Sequence, residues 1–218
     1  MGETTMRQGA GGLPRPHDLF WGASADWLEA GAPAWTRAVL AAGLPVVVRR
    51  APARDGWIAV GVRGHGRERR HATWMPRAAV HRCVPPEQLT GGGERESVCA
   101  PLRALALLQP QLDALCRQHG LAWGVTGGAG YQLATGVTVL NEGSDLDLLL
   151  RVPRPLQRRQ AQALVERLEQ LPCRVDLQLE TPAGAVALRE WASAAARVLL
   201  KAGNGARLVG DPWREVAA

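Results

Sequence analysis

Two aspartates separated by a single residue precede a run of leucines, in the segment Ser144-Asp145-Leu146-Asp147. A β-strand over 144–152 would direct Asp145 and Asp147 to one face and the intervening leucines to the other. Two carboxylates on one face are costly unless a cation compensates them. Mg²⁺ suits such oxygen ligands and completes its shell with water and substrate phosphates. The pattern predicts a magnesium site at the start of a buried strand.

A third aspartate, Asp176, lies between apolar residues in a second predicted strand, Arg174–Leu179. If this strand is a neighbour of the one that carries Asp147, three carboxylates converge. Three acids are enough to hold two metal ions roughly 3.5–4 Å apart, the arrangement used for in-line displacement at phosphorus. We therefore predict Asp145, Asp147 and Asp176 as catalytic residues and ligands of two Mg²⁺ ions.

A glycine-rich turn, Gly127-Gly128-Ala129-Gly130, follows a predicted strand and opens a short predicted helix. Such a turn lets backbone amides approach a phosphate closely. It is not a Walker loop, because no GK[ST] follows, and it is not a dinucleotide fingerprint, because Leu133 stands where the last glycine is required. Gly127 and Gly128 are the predicted phosphate contacts. Tyr131 and Gln132, which come next, face either the core or the substrate pocket.

These residues need a sheet with helices to position them. A leucine every three or four residues predicts a helix from Pro101 to His119, ended by Gly120. The remaining predicted helices are Ala34–Ala42, Pro155–Pro172 and Ala185–Leu200, and the earlier predicted strands are Pro45–Arg49 and Trp57–Val62. Helices and strands alternate in the second half, which favours an α/β or α+β architecture.

Turn-forming and charged residues in the segment Pro85–Ser97 indicate a domain boundary. We expect a disordered tail over 1–12, a small N-terminal α/β domain over 13–84, a linker over 85–98 and a second domain over 99–218.

The chain of 218 residues carries a net charge of +6 and has a pI of about 10.0. A basic protein invites a nucleic-acid function, but 25 of its 26 basic residues are arginine, and 25 Gly and 15 Pro accompany them, which indicates the codon bias of a GC-rich genome. The arginine-rich segment Arg63–Arg70 either docks an anionic partner or is simply solvated. No apolar stretch is long enough to cross a membrane, and no signal peptide is evident, so we expect a cytoplasmic protein. The four cysteines lack metal-site spacing and are predicted to be reduced thiols.

The combination of glycine turn, Asp-x-Asp strand and third acid resembles the nucleotidyltransferase superfamily that shares the polymerase-β palm. The longer string from Trp123 to Leu150 resembles more closely the phosphoribosyl-dephospho-CoA transferase family of malonate decarboxylase, also called its holo-acyl-carrier-protein synthases. RPHDL near the start and REWA, VLLK and RLV near the end extend this resemblance over nearly the whole chain. One departure is Gly128, where the family's turn has serine.

The resemblance implies an α+β fold: a small mixed N-terminal domain, then a polymerase-β-like domain with a mixed sheet flanked by helices. It implies transfer from 2'-(5''-triphosphoribosyl)-3'-dephospho-CoA to a serine of the acyl-carrier subunit of malonate decarboxylase, with release of diphosphate. Lys201, the only lysine, would then neutralise the triphosphate unless it is merely a solvated residue, and Ser144 would position Asp145 or touch phosphate unless it serves only the turn. The alternatives are a nucleotidyltransferase that uses ATP on a protein or small-molecule hydroxyl, and a non-enzymatic nucleic-acid-binding module. We expect neither a membrane nor a nucleic-acid partner.

Overall fold

The computed structural model describes residues 13–66, 68–93, 97 and 99–214. The chain divides into two compact units, Met1–Pro85 and Pro86–Ala218. The predicted tail over 1–12 lies outside the described residues. The division falls at the start of the segment predicted as a linker, and the beginning of that segment, Pro86–Leu89, forms a 3-10 helix of the second unit.

The first unit is built on a five-stranded antiparallel sheet with the strand order β4-β3-β2-β1-β5. Its strands are β1 (Leu19–Trp21), β2 (Val46–Val48), β3 (Trp57–Arg63), β4 (Arg70–Pro76) and β5 (Arg82–Val84). Helix α1 (Ala34–Ala41) and the 3-10 helices Ala25–Trp27 and Arg77–Ala79 complete the described elements. The predicted helix at Ala34–Ala42 and both predicted strands of this half are confirmed.

Successive side chains of a strand point to opposite faces of this sheet, and the apolar side chains identify the buried face. Ile58, Val60 and Val62 of β3 pack with Met75 of β4 and Leu40 of α1 in one core. The residues between them, beginning with Trp57 and ending with Arg63, therefore lie on the opposite face.

The second unit contains a six-stranded mixed sheet with the order β11-β10-β9-β8-β7-β6. Its strands are β6 (Ala122–Val125), β7 (Leu146–Arg151), β8 (Val175–Thr181), β9 (Gly184–Ala187), β10 (Val198–Ala202) and β11 (Gly205–Val209). Its helices are α2 (Ala100–His119), α3 (Gly127–Thr135), α4 (Arg158–Leu168) and α5 (Leu188–Ala192). Strands β7 and β8 are parallel and the other pairs are antiparallel, so the chain is an α+β protein.

Helix α2 forms where the leucine spacing predicts it and ends at Gly120. Leu105, Leu108 and Leu112 are essentially inaccessible to solvent and form part of the core beneath the sheet. Helix α4 is shorter than predicted, because a capping box between Gln157 and Gln160 starts it three residues after Pro155.

The predicted helix over Ala185–Leu200 is wrong. The segment instead holds β9, the short helix α5 and most of β10. In β10 the buried Val198, Leu200 and Ala202 alternate with the exposed Leu199 and Lys201, which is the period of a strand. Alanine favours helix intrinsically, but pairing with β9 and β11 overrides that preference here.

All four cysteines are free thiols, as predicted. None of the helices in the described part of the chain is both long and apolar enough to cross a bilayer.

A charged cluster ties the 3-10 helix at the start of the second unit to the sheet. Arg151 Nε donates to Glu87 Oε1 at 2.8 Å, and its Nη1 lies 3.9 Å from Glu180 Oε2. The side chain of Glu180 is only 7% exposed. Buried carboxylates are tolerated where a cation compensates them, so Arg151 is a structural residue of this face.

We expect Arg151→Met to lower the free energy of unfolding by about 2–4 kcal/mol, because it removes a cation that compensates a buried carboxylate. The matched control is Arg189→Met, which removes an exposed pair with Glu169 (2.8 Å). Exposed pairs contribute less than about 1 kcal/mol, so the control should unfold almost like the wild type. Equal effects of the two substitutions in denaturant titrations would contradict the structural role of Arg151.

Candidate functional site: an aspartate pair beside a glycine turn

Antiparallel pairing of β6 with β7 brings the glycine turn to the aspartates. Val125, the last residue of β6, is paired with Leu148 of β7. The chain then turns at Thr126, whose amide donates to the backbone oxygen of Asp147 at 2.9 Å. The end of β6 and the start of β7 therefore meet at one edge of the sheet.

Gly127, the first residue of α3, touches the Asp147 side chain. Its φ is +59°, a left-handed conformation that favours glycine. A Cβ placed on Gly127 would overlap the Asp147 carboxylate. Both the backbone conformation and the lack of a side chain are thus required for the turn to pack against the acid.

The parallel pairing of β7 with β8 places the third predicted acid beside the first two. Asp147 and Asp176 are direct register partners on these strands, which lie roughly 4.8 Å apart. The flanking leucines Leu148 and Leu177 are buried in the core, so both aspartates face the other side of the sheet. Asp145 immediately precedes β7, two residues before Asp147, rather than lying within the strand.

The side chains do not form a ready metal cage. Asp176 Oδ1 accepts from Arg174 Nε at 3.0 Å, and among the described residues no group of three or more His, Cys, Asp or Glu side chains is close enough to hold a metal ion. The backbone thus brings the predicted acids together, while their convergence on metal stays a prediction.

The negative charge of Asp145 acts on the thiol of Cys173. Burial raises the pKa of the Cys173 thiol to about 11, and the negative charge of Asp145 contributes to the increase. Cys173 therefore stays protonated at neutral pH and is not a nucleophile of this site.

The loop before Asp145 is held by its own polar residues. Ser144 Oγ accepts from the Asn141 amide at 3.0 Å, and the Gly143 amide donates to Asn141 Oδ1. Glu142 accepts from the Ala100 amide at the start of α2 and pairs with Arg103 at 2.7 Å. In this arrangement Ser144 serves the turn.

The other predicted contacts differ in their placement. Gly128 and Tyr131 are buried in α3, and Tyr131 is 2% exposed. Gln132 Oε1 accepts from the amides of Val139 and Leu140, both at 3.0 Å, which fixes the loop after α3. Lys201 is exposed on β10, three strands from β7, so the structure does not bring it to the aspartates.

Two residues that were not predicted from the sequence contact the site or the loop before it: Arg174 pairs with Asp176, and Glu142 binds the start of α2. Arg174 lies two residues before Asp176, a spacing that puts the two side chains on the same face of a strand and could have suggested an ion pair. Nothing in the sequence pairs Glu142 with α2, because the contact spans 42 residues.

A separate cavity of about 710 Å³ lies between α2 and α4. It is lined by Leu112, Leu150, Val152 and Leu164, with Arg154 and Arg167 among the polar residues. Leu150 and Asp147 are an odd number of residues apart on β7, so the cavity lies on the opposite face of the sheet from the aspartates.

Two family models together cover most of the chain. Residues 93–212 match the phosphoribosyl-dephospho-CoA transferase MdcG C-terminal domain, and residues 15–86 match the N-terminal domain of the same family. This chain belongs to that family. The resemblance read from the string Trp123–Leu150 and from the motifs near both ends of the chain is therefore confirmed, and the chain is a transferase rather than a non-enzymatic nucleic-acid-binding module.

Relatives named phosphoribosyl-dephospho-CoA transferase match over nearly their full length. One from Azotobacter vinelandii is 86% identical over 94% of this chain and 97% of its own. Others, from Pseudomonas putida strain W619 and Pseudomonas aeruginosa, are 58% and 54% identical, and each covers more than nine-tenths of both chains. No solved structure matches.

We expect Gly127→Ala to reduce transferase activity by about 100-fold, because the new Cβ displaces the Asp147 carboxylate from its position. Gly136→Ala is the matched control: this residue also has a left-handed φ, +73°, but no atom lies within 4 Å of a Cβ placed there. Both variants incur backbone strain of about 1–2 kcal/mol, so thermal unfolding should report that shared cost. Equal activities of the two variants would show that contact with Asp147 is unimportant.

Proposed function

We propose that this chain attaches the prosthetic group of malonate decarboxylase, using 2'-(5''-triphosphoribosyl)-3'-dephospho-CoA as donor and a serine of the acyl-carrier subunit as acceptor. The observation that carries the proposal is the pairing of Asp147 with Asp176 beside the Gly127 turn. The names of the relatives support the donor. We also assign the second unit to the polymerase-β-like nucleotidyltransferases, on its mixed sheet and the strand positions of its acids.

The transfer is a substitution at phosphorus. The serine oxygen forms a bond to the phosphorus nearest the ribose, and the bond from that phosphorus to the bridging oxygen of the diphosphate breaks. Diphosphate leaves with the electron pair of the broken bond. The hydroxyl proton passes to a base, for which Asp176 is the proposed residue because it is the register partner of Asp147 on the same face of the sheet.

The donor set fits Mg²⁺, since Asp145, Asp147 and Asp176 offer only carboxylate oxygens. The bound ions would neutralise the charge that develops on the phosphate oxygens. Asp176 Oδ1 accepts from Arg174, so its second carboxylate oxygen would be the one offered to an ion. The Arg174 side chain is 66% exposed within this ion pair, so it is open to contact with an anionic substrate.

The glycine turn supplies the remaining interaction of the proposed mechanism. Backbone amides at the start of a helix favour an anion. The amides of Gly127 and Gly128, in the first turn of the nine-residue helix α3, are proposed to hold the leaving diphosphate. We retain Lys201, Ser144, Tyr131 and Gln132 only as weaker candidates for donor contacts, because their placement provides no separate support.

We expect Asp145→Asn, Asp147→Asn and Asp176→Asn each to reduce transfer by at least about 100-fold, because each removes a negative charge that the metal ions need. The measurement is the intact mass of the acyl-carrier subunit after incubation with donor, Mg²⁺ and enzyme. The control variant is Asp55→Asn, an exposed aspartate of the first unit.

Two results would contradict the proposal. Near-normal turnover of Asp145→Asn and Asp147→Asn would remove the metal mechanism. If the wild-type enzyme modified the carrier with ATP but not with the triphosphoribosyl donor, the alternative nucleotidyltransferase would be correct. Circular dichroism of each variant separates loss of chemistry from loss of fold.

A further inference from the structure

The net charge of the chain resides in one of its two units. Residues 1–85 contain 12 arginines against six acidic residues, whereas residues 86–218 contain 14 basic and 14 acidic residues. The excess of +6 therefore belongs to the first unit, which carries none of the aspartates discussed above. A charge confined to one unit suggests a role for that unit in binding an anionic partner.

The exposed face of the first sheet concentrates part of this charge. We define the arginine–tryptophan patch as Arg49, Arg54, Trp57, Arg70 and Trp74. The core residues of β3 and β4 alternate with Trp57, Arg70 and Trp74, and Arg49 continues the strand direction of β2, so these four lie opposite the core. Arg54, which precedes β3, joins them through its contacts with the two tryptophan rings. The five strands of this sheet contain no acidic residue, and the flanking acids Asp18, Asp55 and Glu68 lie outside the strands.

Guanidinium groups lie over the indole rings of the patch. The Arg54 Cζ atom lies 4.6 Å from the centroid of the Trp57 ring and 5.6 Å from that of Trp74, and the Arg49 Cζ atom lies 5.6 Å from the Trp74 ring. Such stacking orders two otherwise flexible side chains before any partner arrives. Less conformational entropy is then lost on binding.

The stacking of arginine on tryptophan indicates which class of partner the patch binds. A nucleobase binds by stacking on an open aromatic face, and here arginine already occupies the rings. A stacked guanidinium keeps its N–H edges, which match carboxylates in bidentate geometry. Arginine and tryptophan are also the residue types that carry most binding energy in protein interfaces. The patch therefore favours an acidic protein surface over a nucleic acid.

We propose that the arginine–tryptophan patch docks an acidic surface of the carrier protein that accepts the transferred group. This inference rests on the proposed function in taking the acceptor to be a protein. It assigns the first unit to acceptor recognition, separately from the aspartates of the second unit.

The test is the double variant Arg54→Glu/Arg70→Glu, assayed by steady-state transfer to the acyl-carrier subunit. We expect the KM for the carrier to rise about tenfold or more, since two attractive charges become repulsive. The salt dependence of KM should become weaker or reverse. The variant Arg54→Lys/Arg70→Lys keeps the charge but loses the stacked, bidentate guanidinium groups, so its KM should lie between those of the wild type and the glutamate variant. A merely structural defect would not follow charge in this order.

The control is Arg37→Glu/Arg117→Glu, which changes the net charge equally at two exposed positions, on α1 and α2. Thermal unfolding verifies that both double variants fold. If the wild type modifies the carrier and Arg54→Glu/Arg70→Glu shows an unchanged KM, or one no higher than that of the control, the docking proposal is wrong and the proposed function stands.

Two further outcomes separate the remaining possibilities. Failure of the wild type to modify the carrier overturns the proposed function, and the docking proposal falls with it. If the wild type binds a single-stranded oligonucleotide in a gel shift, and the glutamate variant loses that binding but retains the wild-type KM for the carrier, the patch is a nucleic-acid site instead.

Discussion

The parallel pairing of β7 with β8 sets Asp147 directly opposite Asp176, at a spacing where two carboxylates repel each other. A protein keeps such a pair only where other interactions compensate it. In this structure Arg174 compensates one member, and the glycine turn packs closely against the other. The buried leucines on the reverse side of both strands hold the register, because a shift by one residue would turn every aspartate into the core.

The same face of the sheet shows how charge is handled away from the pair. Further along β7 and β8, Arg151 lies between Glu87 and Glu180 and offsets two carboxylates, one of them nearly inaccessible to solvent. The acids at the strand starts have a weaker compensation, from an arginine that is two-thirds exposed. The ends of the strands thus carry an ion-pair cluster that stabilises the sheet, and their beginnings carry the aspartates that we propose as metal ligands.

Much of the fold was predictable where a local pattern determined the structure. The leucine stripe of α2, the turn at Gly127 and the apolar strand after Asp145 all have signals within a few residues. The structure after β8 was not predictable in this way, because alanine-rich composition favours helix whereas β9 and β10 depend on partners supplied by the rest of the sheet. The arginine–tryptophan patch likewise joins residues of separate segments, which come together only when the first sheet has formed.

The candidate site, like the fold, could be predicted from the sequence only where a local pattern determines it. The sequence singled out three acids as candidates on the condition that two strands are neighbours, and the pairing of β7 with β8 meets that condition. The sequence did not reveal that Arg174 holds Asp176 or that Gln132 is used by a loop, because such partners depend on side-chain positions in the folded state. Lys201 was a candidate as the only lysine and as the residue after the apolar segment VLL, and neither feature carries information about its distance from the aspartates.

The crossover through α4 has a consequence for assembly of the molecule. Asp147 and Asp176 are 29 positions apart in the sequence and become neighbours only after that helix has packed and β8 has joined the sheet. Any ion or substrate that bridges the two strands therefore binds only the completed crossover and stabilises it by mass action. A fragment that stops after β7 retains only Asp147 of the pair and cannot gain this stabilisation. Binding at the site and folding of the β7–α4–β8 crossover are therefore coupled.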